Sequence, residues 1–173
     1  SEAHNNLGNA LKAKGDLDAS ISCYQRALHL NPNFAQAHNN LGNALQEQDN
    51  LNAAISCYQR ALAVHPTFAD AHGNLGNVLK AKDELRAAIS SYKKALQFKP
   101  DYPEALSNLG NTLIELGDKN NAIISYKKAL QLKPDYPEAN WNLSFVQLLT
   151  GDYEAGWDHY QWRLKMKDKE PHA

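Results

Sequence analysis

An internal period of 34 residues constrains this chain more than any other feature. Pro32, Pro66, Pro100 and Pro134 keep that step, as do Tyr24, Tyr58, Tyr92, Tyr126 and Tyr160. Leu7, Leu41, Leu75, Leu109 and Leu143 keep it too, beside Ala3, Ala37, Ala71, Ala105 and Ala139. Gly8, Gly42, Gly76 and Gly110 follow it until Ser144 takes the fifth place. A fixed period of this size means a stacked array of one small unit, which buries its apolar face only against its neighbours. The 173 residues hold five such units, placed at 1–34, 35–68, 69–102, 103–136 and 137–170.

Within a unit the apolar spacing is helical. Ala71, Leu75, Val78 and Leu79 form one stripe, and Leu85, Ala88, Ile89, Tyr92, Ala95 and Leu96 a second. Short breaks separate the stripes, for example Lys14-Gly15-Asp16 and Leu116-Gly117-Asp118. Glycine suits the left-handed residue that ends a helix, and the following Asp can cap the next one. The proline column closes the second helix. The spacing predicts first helices near 2–14, 36–48, 70–82, 104–116 and 138–150, and second helices near 18–30, 52–64, 86–98, 120–132 and 154–167. The fold class is an all-α solenoid of five helix-turn-helix units.

The formal net charge of −1 argues against a nucleic-acid binder, whose affinity rests on a basic face. No apolar run approaches the roughly 18 residues needed to span a bilayer, and no signal-peptide pattern is present; a cytoplasmic protein is expected because Cys23 and Cys57, one unit apart, read as two reduced thiols. The chain opens at Ser1 without an initiator Met, as expected of a segment trimmed from a longer protein. Asparagine is far out of proportion: 18 residues, most of them inside helical patterns although Asn is a mediocre helix former. That conflict marks where function is to be sought.

The recurring set Asn40-Leu41-Gly42, Leu45, Ala54, Tyr58, Ala61 and Pro66 resembles the tetratricopeptide repeat (TPR), and the resemblance covers essentially the whole chain. His4, His38 and His72 stand where many family members carry Trp. The string Asn74-Leu75-Gly76-Asn77-Val78-Leu79-Lys80 is similar to repeats of O-GlcNAc-transferase-type proteins. The last unit, through Gly151-Asp152-Tyr153 and Trp157, is similar to the final repeat of bacterial TPR proteins that continue into a glycosyltransferase-like domain, no residue of which is present here. The resemblance implies a right-handed superhelix whose first helices line a concave surface, and a ladder of Asn that binds extended peptide backbones.

On that face Asn6, Asn40, Asn74, Asn108 and Asn142 form one row. Asn9, Asn43, Asn77 and Asn111 form a second, with Phe145 in the fifth place. Rows three residues apart share a helix face. An Asn amide presents donors and an acceptor, as a peptide backbone requires. The competing reading is that these side chains bond between adjacent first helices or are relics on a solvated face. Each hydrogen bond contributes a net ~0.5–1.5 kcal/mol, so five alone bind weakly and tolerate many sequences. Glu2, Gln36, Asp70, Glu104 and Glu138 line one edge of the groove and Lys12, Gln46 and Lys80 the other. No cation occupies the candidate positions for gripping a C-terminal carboxylate, Asn5, Asn9, Asn40, Asp70 and Asn74, so no carboxylate clamp is expected.

Other chemistry is thin, and neither a cofactor nor a metal is expected. His4, His38 and His72 lie one unit apart, and stacked helices sit roughly 8–10 Å from each other, too far to share an ion; packing is the expected role. The same reasoning makes Cys23 and Cys57 reduced, partly buried thiols. Lys93-Lys94 and Lys127-Lys128 read as a solvated outer face. In the fifth unit Trp141, Phe145, Leu148 and Leu149 replace polar residues, with Trp157 and Trp162 nearby. These are either a seal for residues after Ala173 or an anchor for a partner, and both predict association, including self-association. The function expected is a non-catalytic scaffold that holds a protein or extended peptide, without nucleic acid or membrane. One alternative is the substrate-selecting arm of a larger O-GlcNAc-transferase-like enzyme. Another is RNA reading by helical repeats, which wants a longer period and a basic groove.

Overall fold

The computed structural model describes residues 1–160 and Trp162. Among them the secondary structure is helical throughout. The helices are α1 (Glu2–Ala13), α2 (Leu17–Leu30), α3 (Ala35–Glu47), α4 (Leu51–Val64), α5 (Ala69–Ala81), α6 (Leu85–Phe98), α7 (Pro103–Glu115), α8 (Lys119–Leu132), α9 (Pro137–Leu149) and α10 (Tyr153–Tyr160). They pair in chain order, α1 with α2 through α9 with α10. Most begin one residue before the expected start. Asp16 and Asp118 accept the backbone N–H of Ala19 and Asn121 and so start α2 and α8 at the next residue. Pro103 and Pro137, preset for a first turn, open α7 and α9. The expected stretch of the last helix from 163 to 167 lies outside the described residues.

The chain forms two compact units, one from Ser1 to Phe98 and one beginning at Lys99. In the first, α1 neighbours α3 and α3 neighbours α5 as one layer, while α2 packs on α3 and α4 on α5. In the second, α7 neighbours α9, and α8 packs on α9.

One turn recurs between the helices of every repeat. The N–H of Asp16 bonds the carbonyl of Leu11 and that of Gly15 the carbonyl of Lys12; the same pair recurs at Asn50, Glu84, Asp118 and Asp152. This is the double bond of a Schellman cap, and it demands a left-handed residue. Gly15, Gly117 and Gly151 supply it with φ of 85°, 87° and 86°, whereas Asp49 and Asp83 adopt it at 60° and 62°.

The tyrosine column forms the centre of each hairpin. Tyr24, Tyr58 and Tyr92 are fully buried and Tyr126 nearly so. Each ring lies against the glycine of the paired first helix: a Cβ on Gly8, Gly42, Gly76 or Gly110 would sit 2.6 Å from a ring carbon. The ring also reaches the next repeat, where Tyr24 packs with Leu41 and Ala44, and Tyr58 with Val78. Ala27, Ala61, Ala54 and Ala88, fully buried, keep the helices close. In the fifth repeat Ser144 replaces the glycine, and its hydroxyl donates to the Gly156 carbonyl at 2.9 Å.

Candidate functional site

The asparagine rows sit on the first helices, and their partners differ by row. In the second row each side-chain oxygen accepts the hydroxyl proton of the tyrosine 15 residues on: Tyr24 to Asn9, Tyr58 to Asn43 and Tyr92 to Asn77 at 2.8 Å, and Tyr126 to Asn111 at 2.6 Å. Tyr58 also lies 2.9 Å from Gln46 Oε1. Burial raises the pKa of Tyr24, Tyr58 and Tyr126, so these hydroxyls stay protonated donors.

The first row bonds backward along the stack. Asn40 Nδ2 donates to Asn5 Oδ1 and to Asn9 Oδ1, both at 3.0 Å, while its own oxygen accepts from Gln36 Nε2. Asn74 Nδ2 donates to Asn39 Oδ1 at 3.0 Å, and Asn142 Nδ2 to Asn111 Oδ1 at 2.8 Å. Asn5 and Asn39 are buried, Asn40 is 8% exposed, and Asn6 is exposed. Both donors of Asn40 are therefore committed between adjacent first helices. Both lone-pair positions of the Asn9 oxygen are taken as well, by Tyr24 and Asn40, and Asn111 repeats the arrangement. Left without a hydrogen-bond partner among the described residues are the Nδ2 groups of Asn9, Asn43 and Asn111 and the side chain of Asn6. Asn77 and Asn108 also make interactions within the fold.

The expected edges are partly paired. Lys12 forms an ion pair with Glu47 at 2.7 Å, and Glu104 lies 3.6 Å from Lys133. His38 Nε2 donates to the Pro32 carbonyl at 2.8 Å and His72 Nε2 to that of Pro66 at 2.9 Å. Asn140, in the same column, donates to the Pro134 carbonyl at 3.1 Å. His38 and His72 thus tie α3 and α5 to the loops before them, and Asn140 does the same for α9. Among the described residues no cluster of His, Cys, Asp and Glu could hold a metal ion. Cys23 and Cys57 are free and half-buried, and burial raises the Cys57 thiol. No helix of the described residues is long and apolar enough to cross a membrane.

The fifth-repeat aromatics divide. Phe145, Leu149 and Trp157 are more than half exposed, while Trp141, Leu148 and Trp162 are half-buried. Where Phe145 replaces the row asparagine, the Tyr160 ring packs against Trp141 and Trp157, with centroids 5.5 and 5.0 Å apart.

Sequence reasoning missed the pairing of the second asparagine row with the tyrosines. The constant offset of 15 was visible, but it does not reveal which of several helix-face residues a phenol reaches.

Hairpins stacked through buried tyrosines, with a polar face on their first helices, define an all-α repeat scaffold. Models of the TPR repeat match residues 8–49, 76–117 and 110–151, and further tetratricopeptide-repeat models match 35–68 and 57–90; the chain belongs to the tetratricopeptide-repeat family. The crystal structure of MamA is similar at 25% identity over 94% of this chain and 95% of that one, with a TM-score of 0.83. PilF of Pseudomonas aeruginosa is 20% identical over 99% and 77%, at 0.89. YrrB, described as a TPR protein with an unusual peptide-binding site, is 19% identical over 96% and 86%, at 0.76. No curated protein sequence matches. The resemblance to O-GlcNAc-transferase-type repeats and to glycosyltransferase fusions gains no support from these likenesses.

Proposed function

We propose that the first-helix face of the Ser1–Phe98 unit holds an extended polypeptide through the Nδ2 groups of its second asparagine row. One observation carries the reading. Asn9 and Asn43 have their oxygens pinned by buried tyrosine hydroxyls, so their amide donors are oriented before any ligand arrives. Preorientation lowers the ordering cost of binding. Donors in register with the repeats suit the carbonyls of an extended chain, which recur at regular intervals whatever the side chains. Asn40 and Asn74 act on this reading as the struts that hold the row in register. The family and the fold likeness to YrrB, a TPR protein with a peptide-binding site, support a protein-interaction role.

The test uses substitutions that keep the struts intact. Asn9→Asp with Asn43→Asp leaves each tyrosine and Asn40 an oxygen to bond and replaces each outward donor with a charged acceptor oxygen. A peptide selected from a display screen should bind this double variant about tenfold more weakly, the loss of two net hydrogen bonds. Equal affinity for the variant, with an unchanged circular-dichroism spectrum, would remove this face from the reading.

A further inference from the structure

The second-helix side of the Ser1–Phe98 unit carries two clefts in repeat register. The larger, about 490 Å³, lies among α4, α5 and α6; the smaller, about 290 Å³, lies among α2, α3 and α4. Leu62, His72 and Lys94 of the larger stand 34 residues after Leu28, His38 and Arg60 of the smaller. Phe98, 40% exposed, extends the apolar wall of the larger cleft and stacks on His72 at 5.6 Å.

Charge is segregated around them. Helices α4 and α6 bear Arg60, Arg86, Lys93 and Lys94 and not one acidic residue, in a chain of net charge −1. No Asp or Glu lines either cleft. Arg60 and Lys94, exposed on the cleft walls, have no carboxylate within ion-pair distance among the described residues.

We propose that this side is a second docking surface, for an acidic peptide carrying large apolar side chains. The apolar walls take the side chains, and Arg60 and Lys94 face the carboxylates between them. Two equivalent clefts one repeat apart let one segment fill both, so that the second contact forms at high effective concentration. Apolar walls distinguish this surface from a plain polyanion binder: a nucleic-acid backbone, sulfated polysaccharide or lipid headgroup brings charge but nothing to fill the clefts.

The probe is a fluorescein-labelled peptide alternating Asp or Glu with Leu and Phe, followed by anisotropy on the full 173-residue chain. Two control peptides replace its apolar residues with Ser or its acids with Lys. The parent peptide should bind, and both controls should bind about tenfold more weakly or worse. Arg60→Glu with Lys94→Glu should weaken the parent peptide by a similar factor, and the milder Arg60→Gln with Lys94→Gln by less, each with a native circular-dichroism spectrum. Asn9→Asp with Asn43→Asp should leave this binding unchanged, which separates it from the first-helix face. Equal binding of the Ser peptide, or full displacement by heparin, RNA or phosphatidylserine vesicles at matched charge, would overturn the proposal in favour of a polyanion face. Insensitivity to both Arg60/Lys94 variants would overturn it outright.

Discussion

At the scale of single residues, the left-handed turn position separates repeats that are otherwise alike. Gly15, Gly117 and Gly151 occupy it freely, whereas Asp49 and Asp83 hold positive φ with a side chain. Left-handed backbone costs an L-residue roughly 1–2 kcal/mol, less for Asp. Asp49→Gly and Asp83→Gly should therefore each stabilise the fold, by about 0.5–1 kcal/mol after the greater chain entropy of glycine is counted, measured by urea denaturation. His72 gives a pH-dependent counterpart. Burial lowers its pKa, opposed by its bond to Pro66 and assisted by Lys94. The unfolded chain therefore takes up the proton first. Stability is full above the ordinary histidine value of about 6.5 and is lost as pH falls below it. Denaturation midpoints should drop between pH 7.5 and 5.5. The drop should be smaller in His72→Asn, because Asn140 makes the equivalent bond to the Pro134 carbonyl without titrating.

At the scale of elements, a glycine, a tyrosine and an asparagine act as one device in each hairpin. The glycine admits the ring, the ring fills the space between two helices, and its hydroxyl sets the neighbouring amide. Gly42→Ala gains helix propensity worth about 1 kcal/mol. It also drives a methyl to 2.6 Å from a Tyr58 carbon, so a net loss of about 1–3 kcal/mol is expected. The loss should come with displacement of the Asn43 amide, followed by its side-chain NMR resonances. Tyrosine burial has an alkaline signature. The folded pKa values of Tyr24, Tyr58 and Tyr126 are raised, so their contribution is intact below the ordinary value of about 10 and is lost as pH rises beyond it. Ultraviolet titration should show these phenols ionising late and together with helix loss. Helix existence and length were legible from periodicity. The one-residue shift in helix starts was not, because it depends on which capping oxygen and which proline the backbone engages.

At the scale of the whole chain, charge and exposed apolar surface are distributed unevenly. The second helices α2, α4, α6 and α8 carry eight cations and one acid, Asp18, while the first helices α1, α3, α5, α7 and α9 carry six acids and two cations, Lys12 and Lys80. These two sets of helices thus differ in the sign of their charge. The apolar surface at Phe145, Leu149 and Trp157 leads to a separate expectation. The chain should self-associate as concentration rises, and Phe145→Glu with Leu149→Glu should return it to a monomer by light scattering.

The architecture was readable because a 34-residue repeat gives corresponding helices the same kinds of neighbour, and the columns of Gly, Ala, Tyr and Pro mark where they pack. Periodicity also placed both asparagine rows on the first helices. Which of those amides point outward depended on the tertiary structure, since it turns on hydrogen bonds between residues 15, 31 and 35 apart. Asn9 and Asn111 keep only their amide donors because a buried phenol and an asparagine of the following repeat take their oxygens, whereas Asn40 gives both of its donors to the preceding repeat. The clefts beside Arg60 and Lys94 likewise exist only where three helices meet, a shape no single stretch of chain encodes.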